Sequence, residues 1–171
     1  TDAIASSDIK DNFSDTLVNN YVRDGKNYAV PKDFDTNALW YNKDLFDQAG
    51  VEYPTDDMTY DDLVALATEL KDKLPDGVYP FACPVDFQTW YYQTVYANGG
   101  WILNDDATET GYGDAKTQEG IQCWIDMIDA GLSPSASTLS ETGSDAMFEG
   151  EQIAMTLAGS YMVPEYASND T

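Results

Sequence analysis

Apolar residues recur at every fourth position near the start of the chain. Ile9, Phe13, Leu17 and Tyr21 fall on one stripe, and the spacing predicts a helix over 8–22. Asp24-Gly25 is a turn signal, and Lys26 to Pro31 reads as a short strand closed by Pro31. A polar loop over 32–37 leads to an apolar strand over 38–41, then a helix over 43–49 stopped by Gly50. Thr59, with Asp62 three residues on, is a variant of the capping box. The helix it opens runs to about Leu74, with Leu63, Leu66, Ala67, Leu70 and Leu74 on one face.

Pro75-Asp76-Gly77 is a turn, Val78 to Cys83 a buried type of strand, and Phe87 to Ala97 a helix rich in rings that ends at Asn98-Gly99-Gly100. Residues 103–113 read as a loop. A helix over 114–130 carries Ile121, Trp124, Ile125 and Ile128 at helical spacing and ends at Gly131. Residues 133–140 read as another loop. A helix over 141–148 breaks at Gly150, a strand spans 152–158, and a last helix begins near Ser160. Strands separated by helices imply an α/β sheet with helices on both faces. The chain has no internal repeat and no low-complexity tract.

Charge narrows the functions. Of 171 residues, 31 are acidic and 8 basic, for a net charge of −23. Such a surface repels phosphate backbones and anionic lipid, so no nucleic-acid partner is expected. Solubility accounts for acidity of this kind, and a cation-binding role is the alternative. The length suffices for one domain with a sizeable core. No apolar run is long enough to span a bilayer, and no signal peptide is present. Opening at Thr1 without an initiator Met, the chain reads as a mature fragment or a piece of something longer. Cys83 and Cys123 either pair or remain two buried thiols.

Chemistry is limited by what is missing. The chain has no His, so the commonest general base and metal ligand is absent. Two distant cysteines cannot build a zinc site, Asn104-Asp105-Asp106 lacks the calcium-loop spacing, and no nucleophile-elbow, phosphate-loop or dinucleotide motif occurs. No metal and no cofactor are expected. Tyr91-Tyr92 fails as a tyrosinate iron pair because successive helical residues point apart.

Three places suit a ligand. The loop Lys32-Asp33-Phe34-Asp35-Thr36 lies between two strands, where open α/β sheets bind ligands, and its carboxylates can accept bonds from hydroxyls. Asp86-Phe87-Gln88-Thr89-Trp90 sets a carboxylate beside rings, as a sugar needs: its C–H face stacks while its hydroxyls bond fixed acceptors. Against this, Trp90 and Tyr91 fit a core face and Asp86 an N-cap. Tyr161 follows Gly159-Ser160, and a glycine there permits close backbone approach and unusual dihedrals. The candidate ligand contacts are therefore Asp33, Asp35, Thr36, Asp86, Phe87, Trp90 and Tyr161.

The chain resembles the extracellular solute-binding proteins of carbohydrate ABC importers, the maltose-binding-like group. The resemblance rests on Gly25-Lys26-Asn27-Tyr28-Ala29-Val30-Pro31, on Leu39-Trp40-Tyr41-Asn42-Lys43-Asp44-Leu45-Phe46, on Thr59-Tyr60-Asp61-Asp62-Leu63, on Asn98-Gly99-Gly100 and on Ile153-Ala154-Met155 through Gly159-Ser160-Tyr161. Tyr161 stands where the group usually has Trp, and Gly150 lies one place off the usual spacing. The resemblance implies one lobe of a periplasmic-binding-protein-like fold, a mixed sheet flanked by helices. Residues 1–30 would be the tail of a first lobe and a crossing strand, and residues 31–171 an incomplete second lobe. Carried over, the cleft residues are Asp35, the 86–90 turn and Tyr161.

The implied function is non-enzymatic capture of a sugar between lobes for an ABC importer. Its partners would be a carbohydrate and the importer's membrane subunits. The implied setting is a monomer that is extracellular, either periplasmic or anchored to the cell surface as a lipoprotein. A polyamine or other cationic solute is the alternative ligand, favoured by the acidity. A glycoside hydrolase or lyase fragment is the alternative class, since acids are abundant enough to pair anywhere.

Overall fold

A computed structural model describes residues 2–83 and 87–168. The chain divides into two compact units, one up to Thr36 and one from Asn37 onward.

In the first unit the expected single helix is two short pieces. After α1 (Asp2–Ala5), a 3-10 turn covers Ile9–Asn12 and α2 covers Asp15–Asn19. Ser14 interrupts the stripe: its backbone is extended, and its carbonyl accepts from the N–H groups of Leu17 and Val18, which restarts the helix. The chain then reverses in a hairpin of β1 (Val22–Arg23) and β2 (Lys26–Asn27). Asp24 and Gly25 both take positive φ, 51° and 71°, as a two-residue hairpin loop requires. The strand expected over 26–31 is thus only the two residues that the turn pairs.

The second unit is built on a mixed three-stranded sheet in the order β3-β5-β4. Its strands are β3 (Asn37–Tyr41), β4 (Tyr79–Phe81) and β5 (Ile153–Gly159). β5 runs antiparallel to β3, with Asn37 opposite Gly159, and parallel to β4, with Phe81 opposite Met155. The register sets Leu39, Tyr41, Phe81, Met155 and Leu157 on one face and Trp40 and Thr156 on the other.

The first face carries the main core. α4 (Tyr60–Lys71) supplies Ala67 and Leu70, and α6 (Ala115–Asp129) supplies Trp124 and Met127. α5 (Gln88–Ala97) packs beside α6. Gly120 makes this possible: a Cβ there would stand 2.6 Å from Val95 Cα. On the second face Trp40 meets Tyr166 of α9 (Val163–Ser168) edge-on at 4.9 Å, and Tyr166 packs against Phe148 of α8 (Ser144–Glu149) at 5.0 Å. Helices cover both faces, as the alternation of elements predicts.

Local signals placed several boundaries well. α3 (Lys43–Ala49) starts at Asn42, whose side chain accepts from Leu45 N–H, and stops at Gly50. α4 opens with the full reciprocal capping box of Thr59 and Asp62. Bonds from the Thr59 side chain and backbone hold the Asp62 carboxyl below its ordinary range, so this support persists at neutral pH and is lost as pH falls. Thr59→Ala is expected to cost about 1 kcal/mol in urea unfolding.

The loop expected over 133–140 gives way to α7 (Ala136–Thr142), capped by Ser135 Oγ, which accepts from Thr138 N–H; Gly143 then parts α7 from α8, so the helix expected over 141–148 begins only at Ser144. The break after α8 also differs. Gly150 has an ordinary negative φ of −86°, and Glu151 takes the left-handed conformation at φ 56°.

Candidate functional site

Because β4 and β5 are parallel, their carboxyl ends share one edge of the sheet. β3 enters the sheet at that same edge, through Asn37 opposite Gly159. Ligands of open α/β sheets bind beyond such an edge. Two of the candidate segments issue from it.

Tyr161 lies in the 3-10 turn Ser160–Met162 directly after β5 and is 57% exposed. The turn is anchored beneath by buried Met162. Gly159 is extended (φ −78°), a conformation open to any residue, so the unusual dihedral expected there is not used.

The second segment follows β4. Asp86 lies outside the described residues. Phe87 occupies the N-cap position of α5 and is 46% exposed. Trp90, by contrast, is 6% exposed and belongs to the main core cluster. The structure therefore presents Phe87, not Trp90, to solvent at the start of this helix. The remaining candidates, Asp33, Asp35 and Thr36, are exposed and belong to the first unit, at the end of the chain segment that precedes β3. Asp33 pairs with Lys32 at 3.1 Å, in water on both sides. Their neighbour Phe34, which the sequence reading did not single out, is 68% exposed. A bare ring inside a run of charges was the available signal.

Two cavities of about 290 Å³ lie elsewhere in the second unit. One is an apolar groove along the first sheet face, between Leu39, Tyr60, Leu63, Trp124 and Leu157. The other sits at the opposite end of β3, among Trp40, Asn42, Lys43, Phe148, Glu149 and Tyr166. Neither is lined by Phe87, Trp90 or Tyr161.

Titratable groups in the core are quiescent. Burial raises the Tyr60 phenol strongly, and its hydroxyl donates to the Cys123 carbonyl at 2.6 Å. Burial and then the Asp145 carboxylate raise Tyr166. Both cysteines are free, and burial pushes the Cys83 thiol up to about 12. Among the described residues no group of three or more Asp, Glu, Cys or His stands close enough to hold a metal, and no helix is long and apolar enough to cross a membrane.

Beyond this end of the sheet the structure presents two exposed rings, Phe87 and Tyr161. Residues 2–170 match the profile of the bacterial extracellular solute-binding proteins. The chain belongs to that family. Among solved structures, this solute-binding chain is similar to an ABC substrate-binding protein of Listeria monocytogenes in complex with cycloalternan. Sequence identity is 32% and the TM-score 0.80, over 92% of this chain and 40% of that one. It is also similar to a cyclic alpha-maltosyl-1,6-maltose binding protein of Arthrobacter globiformis, at 27% identity and a TM-score of 0.74, over 95% and 41% of the two chains. An arabinooligosaccharide-binding protein of Halalkalibacterium halodurans is 26% identical over 159 residues, which are 89% of this chain and 34% of that protein. The solute-binding chain thus spans well under half the length of these relatives. The family and the matched structures are binding proteins.

Proposed function

We propose that this chain forms one lobe of a sugar-capturing protein that delivers an oligosaccharide to an ABC importer, without catalysis. Residues 31–171 are read as its second lobe and residues 1–30 as the tail of the first with a crossing strand. The observation that carries the reading is Tyr161. It is an exposed ring in the turn directly after β5, in a member of a family whose matched relatives include one solved with cycloalternan and two named for the sugars they bind. A flat phenol there stacks on the C–H face of a sugar. Phe87 offers a second ring, and Asp33, Asp35 and Thr36, with Asp86, offer acceptors and a hydroxyl for sugar hydroxyls. Trp90, being buried, supports the site from behind. Closure follows if the sugar touches both lobes only in the closed form, since a ligand shifts an equilibrium by its differential affinity. The protein acts as a monomer.

Tyr161→Ala in the full-length protein is expected to weaken binding of its best sugar about thirtyfold, roughly 2 kcal/mol, with little change in thermal stability. Calorimetry finding the affinity unchanged would remove Tyr161 from the site. The net charge of −23 favours one second reading, a cationic solute. Thermal stabilisation by polyamines and by none of a sugar panel would establish it instead.

A further inference from the structure

We propose that the cavity at the far end of β3, among Trp40, Phe148, Tyr166, Asp44 and Glu149, is an aromatic cage that binds a small organic cation through its ammonium head. Neither Phe87 nor Tyr161 lines it, so the inference stands apart from the sugar reading. Its volume of about 290 Å³ lies at the lower bound of small-molecule sites, roughly 300 Å³.

Three rings from three elements line it: Trp40 from β3, Phe148 from the last turn of α8 and Tyr166 from α9. All three are half-buried. Trp40 and Tyr166 stand at 74° with centroids 4.9 Å apart, and Phe148 is tilted 53° from Tyr166 at 5.0 Å. The polar atoms of two of them are already used. The Trp40 indole N–H donates to the Ala158 carbonyl at 3.1 Å, and the Tyr166 hydroxyl donates to Asp145 at 3.0 Å. These bonds seat the rings before any guest arrives, which lowers the entropy lost on binding. Rings set at steep angles surround a rounded head group better than they stack on a flat one.

Charge selects the guest. Asp44 and Glu149 line the cavity, and Asp145 holds the hydroxyl of one of its rings. Burial, then Asp145, and further Glu149 raise the Tyr166 phenol, so these carboxylates act on the ring itself. Lys43 is the basic residue of the lining, but its Nζ lies 5.9 Å over the centre of the Tyr53 ring, which is not part of the lining. The face of an aromatic ring is negative, and carboxylates beside it add to that potential. An ammonium head is attracted by both; an anion is repelled by both, and a neutral guest gains from neither. The net charge of −23 gathers cations around the whole molecule and favours their entry.

The test is an NMR titration of the full-length protein with choline and with its neutral carbon isostere, in which a tert-butyl group replaces the trimethylammonium. Choline is expected to bind at least about tenfold more tightly than the isostere. Asp44→Asn with Glu149→Gln keeps the shape of the cavity and is expected to weaken choline about tenfold. Glu149→Gln alone is expected to show a smaller loss of the same kind should the double variant fold poorly. Trp40→Phe, which keeps a ring of weaker cation affinity, is expected to cost about threefold. Failure of choline to bind, or equal binding of choline and the isostere, would overturn the cage. So would choline binding that the Asn and Gln variants leave unchanged, because the cation would then sit elsewhere on the protein. Each of these results leaves the sugar reading as it stands.

Discussion

On the proposed sugar-capturing reading, these 171 residues on their own are expected to bind a sugar about a thousandfold more weakly than the full-length protein. A micromolar complex corresponds to about 8 kcal/mol. If one lobe supplies about half of the contact energy, its share is about 4 kcal/mol, which is millimolar affinity. The estimate follows from closure: a ligand that stabilises the closed form does so through contacts on both sides. Parallel calorimetry of the 171-residue chain and the full-length protein decides the matter. Micromolar binding by the short chain would mean that the rings on this sheet edge suffice, and closure would not be what generates affinity.

Trp124→Ala is expected to destabilise the second unit by about 3–5 kcal/mol. Trp124 is 2% exposed and joins three elements. Its ring lies nearly parallel to Phe81 of β4 at 5.7 Å and 9°, and perpendicular to Tyr60 of α4 at 5.3 Å. Its indole N–H donates to Thr94 Oγ1 of α5 at 2.9 Å. Truncation leaves a cavity between the sheet and two helices, and such a gap cannot collapse without moving all three. Trp124→Phe keeps most of the volume and should lose less. Urea unfolding monitored by circular dichroism gives the difference, and a loss below about 1 kcal/mol would show that the core closes over the gap.

The elements that were readable in the sequence announce themselves locally. α3, α4 and α6 have apolar periodicity and side-chain caps at Asn42, Thr59 and Asp114, and their starts fall where those residues stand. β5 is seven nearly fully buried residues, which a continuous apolar run reports directly. α7 was missed because Leu139 is its only buried side chain, so no stripe forms. β1 was missed because two residues carry no pattern, and the Asp24-Gly25 turn alone decides their pairing.

The placement of the candidates shows the same division. That Tyr161 stands exposed directly after β5 was legible because a glycine-serine turn at the end of a buried strand has few places to put a ring. Trp90 and Phe87 were not separable, since their roles depend on which side of α5 meets α6, and that contact is fixed by Gly120, some thirty positions away. The cavity among Trp40, Phe148 and Tyr166 is non-local in the same sense and leaves no trace in spacing.

The order β3-β5-β4 also has a consequence in time. Neither outer strand touches the other, and both wait for the central one, which is the last of the three to leave the ribosome. Leu39 meets Leu157 across the sheet only after the 117 residues between them have been made. Pairing across such a separation carries a large loop-closure entropy and is slow. The sheet of the second unit therefore cannot close until β5 has been made, so its hydrogen-bonded frame is among the last features of this chain to form.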